Sequence, residues 1–192
     1  MAENKKFTVR FRRRRENKTD YRRRLRLLVS RKQRLVIRKG LKNITAQIID
    51  YNKDGDRVIV SANAAELRKL GWKGHLSNIP SSYLLGLLIG KKAKSKNIQY
   101  CILDSGINPS IKGSKIYTVL KGAIDSGLKI PYNENILPDE KRISGQHIQD
   151  YAKKLKNSGS YEKQFSGYIK NNLDVEDITK EFEKIKAKIM EK

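Results

Sequence analysis

The sequence predicts an α/β protein: a sheet with flanking helices, preceded by a basic extended N-terminal arm and followed by a helical C-terminal extension. Short β-branched runs with two-residue alternation fill residues 34–61, and helical stripes alternate with a further strand over 62–131. Beyond Pro131, apolar residues recur only at helical spacing. Charge marks the other end of the chain. Residues 1–39 hold seventeen Lys or Arg against three acids, which is +14 of the total +23. The division expected from these features is an arm at 1–15, an α/β core at 16–131 and the extension at 132–192.

In the arm, Phe7, Val9 and Phe11 alternate with Thr8, Arg10 and Arg12, which suits an extended strand, and Arg12, Arg13, Arg14 and Arg15 run consecutively. Adjacent guanidiniums repel and cannot be buried together, so the arm alone is expected to be disordered and to become ordered against a polyanion. Arginine forks bridge phosphate oxygens in pairs and stack on bases, which favours nucleic acid as that polyanion. Either Asn17 or Thr19 can cap the first helix, with Asp20 in its first turn. Tyr21, Leu25 and Leu28 form one apolar stripe, so packing that stripe would turn Arg22, Arg23, Arg24 and Arg26 outward.

Residues 34–38 (RLVIR) read as the first strand, 44–49 as the second and 57–61 as the third. A turn with Gly40 joins the first two, and Asp-Gly in NKDGD makes the second hairpin. Asp50, Asn52, Asp54 and Gly55 match the opening of a calcium loop, but its last position is Ser61 where a bidentate glutamate is required. A short helix over 62–70 ends at Gly71. Trp72 reads as a core plug or loop anchor ahead of a base-stacking platform, and His75 as a polar surface residue. The next helix has Pro80 at its first position and Asn78 or Ser77 near its cap. Gly86 and Gly90 within it are expected to let it press against the sheet. Residues 98–103 read as a fourth, central strand, and 116–126 as a helix closed by Gly127. The loop between them, DSGINPSIKGSK, could cradle phosphates with its amides, Lys112 and Lys115. Ser144 can cap a helix bearing Ile148, Tyr151, Ala152 and Leu155, which residues 157–160 then break. Tyr161, Phe165 and Tyr168 make a second stripe, and Val175, Ile178, Phe182, Ile185 and Ile189 a third, packed on this protein's own core or on a neighbour.

Several function classes drop out. No apolar run of about eighteen residues offers a membrane span, and the charged N-terminus has no apolar stretch to act as a secretory signal. The single cysteine, Cys101, fits a buried strand in a reducing compartment. GxxxxGK[ST] is absent, so nucleotide hydrolysis is not expected. Asp50, Asp104 and Asp125 are the carboxylates a metal-dependent nuclease would need, yet nothing in their spacing makes them converge, and they read as caps and ion-pair partners. A charge-driven nucleic-acid compactor is the other alternative.

The strings TDYRRRLRLL, RLVIRK, AQIID, GWKGH, SSYLLGLLIGKKA and GSKIYTVLKGAIDSGLKIPYNENILPDEKRISGQHIQDYAKK resemble the large-subunit ribosomal protein that carries 5S ribosomal RNA, the L-eighteen family in its archaeal form, whose eukaryotic relative is called L-five. The resemblance runs from residue 7 to residue 154. It implies a ribonuclease-H-like core, no catalytic role and no cofactor. It also implies binding to 5S rRNA and 23S rRNA in the cytoplasmic large subunit, beside the other 5S-binding protein (L-five in bacterial naming). Carried over residue by residue, the implied RNA contacts are Arg10, Arg12, Arg13, Arg14 and Arg15 in the arm, and Arg22, Arg23, Arg24 and Arg26 in the first helix. Arg34, Arg38, Lys39 and Lys42 around the first strand, with Asn108, Lys112, Ser114 and Lys115 in the loop, complete them. Two positions depart from the family pattern: Ile79 stands where Thr often precedes the proline, and Tyr132 where His often follows Ile-Pro.

Overall fold

The computed structural model describes residues 8–156 and 160–191. Along it run α1 (Arg12–Arg15), α2 (Tyr21–Val29), β1 (Arg34–Lys39), β2 (Ile44–Asp50), β3 (Arg57–Asn63), α3 (Glu66–Lys69), α4 (Ile79–Lys94) and β4 (Ile102–Asp104). Then come α5 (Lys115–Asp125), α6 (Glu140–Ile143), α7 (Gln146–Leu155), α8 (Tyr161–Lys170) and α9 (Ile178–Glu191).

The strands form one mixed sheet in the order β3-β2-β1-β4. β1–β2 and β2–β3 are antiparallel and β1–β4 parallel. Successive side chains leave a strand on opposite faces, so RLVIRK sends Leu35 and Ile37 to one side and Arg34, Val36 and Arg38 to the other. Leu35 and Ile37 join Ile44, Ala46, Ile48, Val60 and Ala62 in the main core, together with buried residues of α4, α5 and α9. The opposite face, carrying Arg34, Val36, Arg38, Gln47 and Ile49, lines a cleft beside α2.

The fourth strand is at the sheet's edge, not its centre, and only Ile102–Asp104 pairs with β1. A single parallel bridge from Tyr100 to Lys129 continues it backwards. Its apolar character comes from helices packed over it: Ile98 and Cys101 are buried in the main core. That burial raises the Cys101 thiol pKa to about 11.

The α4 cap is Asn78, whose side chain accepts from Ser81 N while the Ser81 hydroxyl accepts from Asn78 N. Ile79 at the position before Pro80 therefore leaves the cap intact. Gly86 and Gly90 do not face the sheet. A Cβ on Gly86 would lie 2.2 Å from Val119 O, and one on Gly122 would lie 2.3 Å from Tyr83 O. These glycines let α4 and α5 touch backbone to backbone, the helix–helix use of small residues that soluble and membrane proteins share. Trp72 is 2 % exposed and plugs the core, donating from Nε1 to His75 O at 3.3 Å.

Other boundaries move for local reasons. The third strand continues to Asn63, so the following helix is only Glu66–Lys69. Ser144 ends α6, and Gly145, at φ +90°, starts α7. Ile178, Phe182, Ile185 and Ile189 of α9 pack into the main core, so the third stripe closes on the protein itself. Tyr161 and Tyr168 pack on a smaller cluster of Ala152, Phe165 and Val175. Phe7 and residues 157–159 of the expected arm strand and helix break lie outside the described residues.

Candidate nucleic-acid interface

The arginine run is not extended. Arg12–Arg15 make one exposed helical turn, with Arg12 Nε 3.4 Å from Glu16 Oε1 and Lys18 Nζ 2.7 Å from Glu16 Oε2. An acid immediately after the run offsets the repulsion that favours extension. Arg13 Nε donates to Thr19 Oγ1 at 2.9 Å, and the Phe11 and Tyr21 rings lie 5.1 Å apart, so arm and α2 fold against each other. The α2 cap is Asp20 rather than Asn17 or Thr19: its carboxylate accepts from Arg22 N at 3.0 Å and Arg23 N at 3.1 Å. Both rejected candidates precede the last non-helical residue, and Asn17 itself sits at φ +49°.

The apolar stripe of α2 does not pack as expected. No residue of the helix is buried: of the stripe, Leu25 is 64 % exposed, and Tyr21 and Leu28 are half-buried but belong to neither core cluster. Polar contacts hold it instead. Arg24 Nη1 and Nη2 meet the two oxygens of Asp56 at 2.8 and 2.9 Å, and Arg23 Nη1 donates to Gly106 O at 3.0 Å. Burial alone would raise the Asp56 pKa, but hydrogen bonds from Arg24 and Arg34 outweigh it and lower it; the same bond raises Arg24.

The implied contact residues fall into two groups. The side chains of Arg10, Arg14, Arg15, Arg22 and Arg26 are exposed and make no hydrogen bond or ion pair among the described residues, and the same holds for Lys39, Lys42 and Lys112. The second group already has partners within the chain. Arg34 is 2 % exposed, with Nη1 2.9 Å from Asp104 Oδ2 and Nη2 2.7 Å from Asp56 Oδ2. It therefore cannot reach RNA without unfolding the sheet face, because β1's alternation aims it under α2. Arg38 donates to Ile37 O and Asp104 O at 3.0 and 3.2 Å, yet half of its side chain stays in solvent. In the loop, Asn108 Nδ2 donates to Ser105 O at 2.8 Å and Lys115 Nζ to Ser77 Oγ at 3.1 Å. Desolvation and the neighbouring Lys39 lower the Lys115 pKa. Ser114 belongs to neither group: its hydroxyl is buried at the start of α5 with no hydrogen-bond partner among the described residues.

A cleft of about 500 Å³ joins α2 to the open sheet face, lined in part by Tyr21, Arg23, Arg38, Gln47 and Asp104. A second of about 520 Å³ lies between the arm and the loop, with Arg14, Arg22 and Ile107 on its walls. Basic side chains, an aromatic ring and backbone carbonyls alternate along this surface. It can neutralise phosphates while offering ring faces and hydrogen-bonding edges to unpaired bases. Sequence reasoning missed Asp56, which it read only as the end of a hairpin turn. Its partners lie twenty-two and thirty-two positions away, so no local pattern announces it.

The carboxylates of a nuclease do not assemble. Asp104 holds Arg34, Asp125 accepts from the Tyr83 hydroxyl at 2.9 Å and pairs with Lys121 at 3.0 Å, and Asp50 caps Tyr51 N at 3.0 Å. No three His, Cys, Asp or Glu residues among those described group to hold a metal ion. No helix among the described residues is long and apolar enough to cross a membrane. A family model described as ribosomal large subunit proteins 60S L5, and 50S L18 matches residues 5–99 and 91–133.

Proposed function

Because the chain belongs to this family of large-subunit ribosomal proteins, whose members are structural constituents rather than enzymes, we propose that it binds 5S rRNA and attaches it to 23S rRNA in the central protuberance. The observation that carries this reading is the set of exposed cations on the arm, α2 and the turn after β1 that have no partner among the described residues, set beside the two clefts. The arm and α2 supply affinity by displacing counterions, and the loop before α5 supplies shape recognition through Asn108, Lys112 and Lys115, the Ser114 hydroxyl being buried. Arg12, Arg13, Arg23 and Arg38 join the interface at its edges, each sharing its charge with an internal acceptor, while both Nη atoms of Arg24 are taken up by Asp56. The reading takes the sheet as ribonuclease-H-like, residues 1–15 as an arm, 16–131 as the RNA-binding core and 132–192 as an extension facing ribosomal proteins. The other 5S-binding protein, bacterial-type L-five, is among those neighbours, and the assembly is archaeal in type and cytoplasmic. From residue 146 onward bases exceed acids by only ten to eight, which suits protein contacts better than continuous phosphate contacts.

Changing Arg14, Arg15, Arg22 and Arg26 together to glutamine is expected to reduce the slope of log affinity against log salt for 5S rRNA by about 3, since each neutralised phosphate contributes roughly 0.7–0.9. Filter binding across a salt series measures it. An unchanged slope places the phosphates elsewhere on the protein.

A further inference from the structure

α2 is fastened by charge where most surface helices are fastened by apolar burial. Beside the Arg23 bond to Gly106 O, the fastening is a chain of four side chains. Arg24 on α2 forks onto both Asp56 oxygens, Asp56 at the base of the β2–β3 hairpin accepts from Arg34 at 2.7 Å, and Arg34 donates to Asp104 at the end of β4 at 2.9 Å. Arg34 is 2 % exposed, so the inner half of the chain is rigid and the outer half inherits its geometry.

An acid in the middle of a basic face is costly for RNA affinity by Coulomb's law alone, since it repels the phosphates the neighbouring arginines attract. Its use must therefore be geometric. Resting on the RNA-binding reading above, we propose that Asp56 is a positioning residue that locks α2 so that Arg22 and Arg26 meet phosphates in a fixed array. A bidentate guanidinium–carboxylate pair fixes the plane and distance of both partners, and a helix held in its bound orientation loses less freedom on binding. In this arrangement Arg24 acts through Asp56 and not on the RNA itself, and Arg34 is the anchor of the latch.

Charge and geometry predict opposite signs, which makes the test decisive. Asp56→Asn, Arg24→Gln and the double variant are made in the full-length protein. Each is titrated on 5S rRNA and on a structured decoy RNA of equal length, and amide hydrogen exchange is followed in the free protein. Asp56→Asn should bind 5S rRNA roughly tenfold more weakly, through lost preorganisation, while binding the decoy as tightly as before or tighter. Amides of α2 should exchange faster with those of β1 and β2 unchanged, and the double variant should bind 5S rRNA no more weakly than Asp56→Asn alone. Unchanged or tighter 5S binding by Asp56→Asn overturns the proposal. So does equal weakening on both RNAs with faster exchange in the sheet, which is general destabilisation, and so does a further loss in the double variant, which puts Arg24 on the RNA. If the unmodified protein itself fails to prefer 5S rRNA, the 5S reading fails, and the exchange data alone then decide whether Asp56 holds α2.

Discussion

Gly86→Ala is expected to destabilise the protein by about 3 kcal/mol or more, at the upper end of what overpacking costs, because the contact it creates is with backbone. The added Cβ would stand 2.2 Å from Val119 O and 2.9 Å from both Ala123 N and Gly122 Cα. No rotamer change relieves a clash with main chain, so α4 and α5 must separate. Their separation disturbs the main core, to which Leu84, Leu87, Val119 and Ala123 of the two helices belong. In thermal unfolding a loss of that size lowers Tm by roughly 6–12 °C for a chain of this length. Gly167→Ala is the control. Nothing lies within 4 Å of a Cβ there, and the position is inside α8, so alanine should be neutral or stabilise by about 0.5–1 kcal/mol. A Gly86→Ala protein that melts with the unmodified one would mean the helices are not in backbone contact.

Arg34→Met should cost about 3–5 kcal/mol, the range for removing one partner of a buried pair. The methionine fills much of the space but leaves Asp104, whose side chain is 8 % exposed, with the more distant Arg38 at 3.6 Å as its only cationic partner among the described residues. Asp56 keeps Arg24 and stays solvated at its rim, so the larger share of the loss belongs to Asp104. Adding Asp104→Asn should recover part of the stability, because a neutral amide can keep accepting from Gly106 N without burying a charge. Urea unfolding of the two variants measures the recovery. If Asp104→Asn deepens the loss, the account of Arg34 as a charge anchor is wrong.

Much of the fold was legible because its signals are local. The β-branched run RLVIR and the alternation in 44–49 placed the first two strands, and the Asp-Gly turn placed the third. Tight glycines were visible at Gly71 and Gly127, both at φ +103° where helices end. What the sequence misplaced depends on distant neighbours. The glycines of α4 face another helix and not the sheet, since spacing shows that a face is small but not what approaches it. The apolar run at 98–103 belongs to a sheet edge because helices, which no strand pattern records, cover it.

The interface was legible as charge and not as geometry. Seventeen bases in thirty-nine residues announce a polyanion, but which guanidiniums remain available depends on acids far along the chain. Asp56 and Asp104 withdraw Arg34 altogether and hold Arg24, whereas Arg14, Arg15, Arg22 and Arg26 have no such partner among the described residues. Apolar stripes are equally ambiguous. The stripe on α9 closes on the core, whereas the one on α2 joins no core cluster and leaves Leu25 in solvent with Tyr21 and Leu28 half-buried, although both have helical spacing.

The most direct measurement is a filter-binding titration of the unmodified protein on 5S rRNA and on a structured decoy RNA of equal length, each across a salt series. A preference for 5S rRNA of about a hundredfold or more, roughly 2.7 kcal/mol, that persists at high salt is the predicted result. Equal affinity for both RNAs, lost together as salt rises, would contradict it and leave charge as the whole of the interaction.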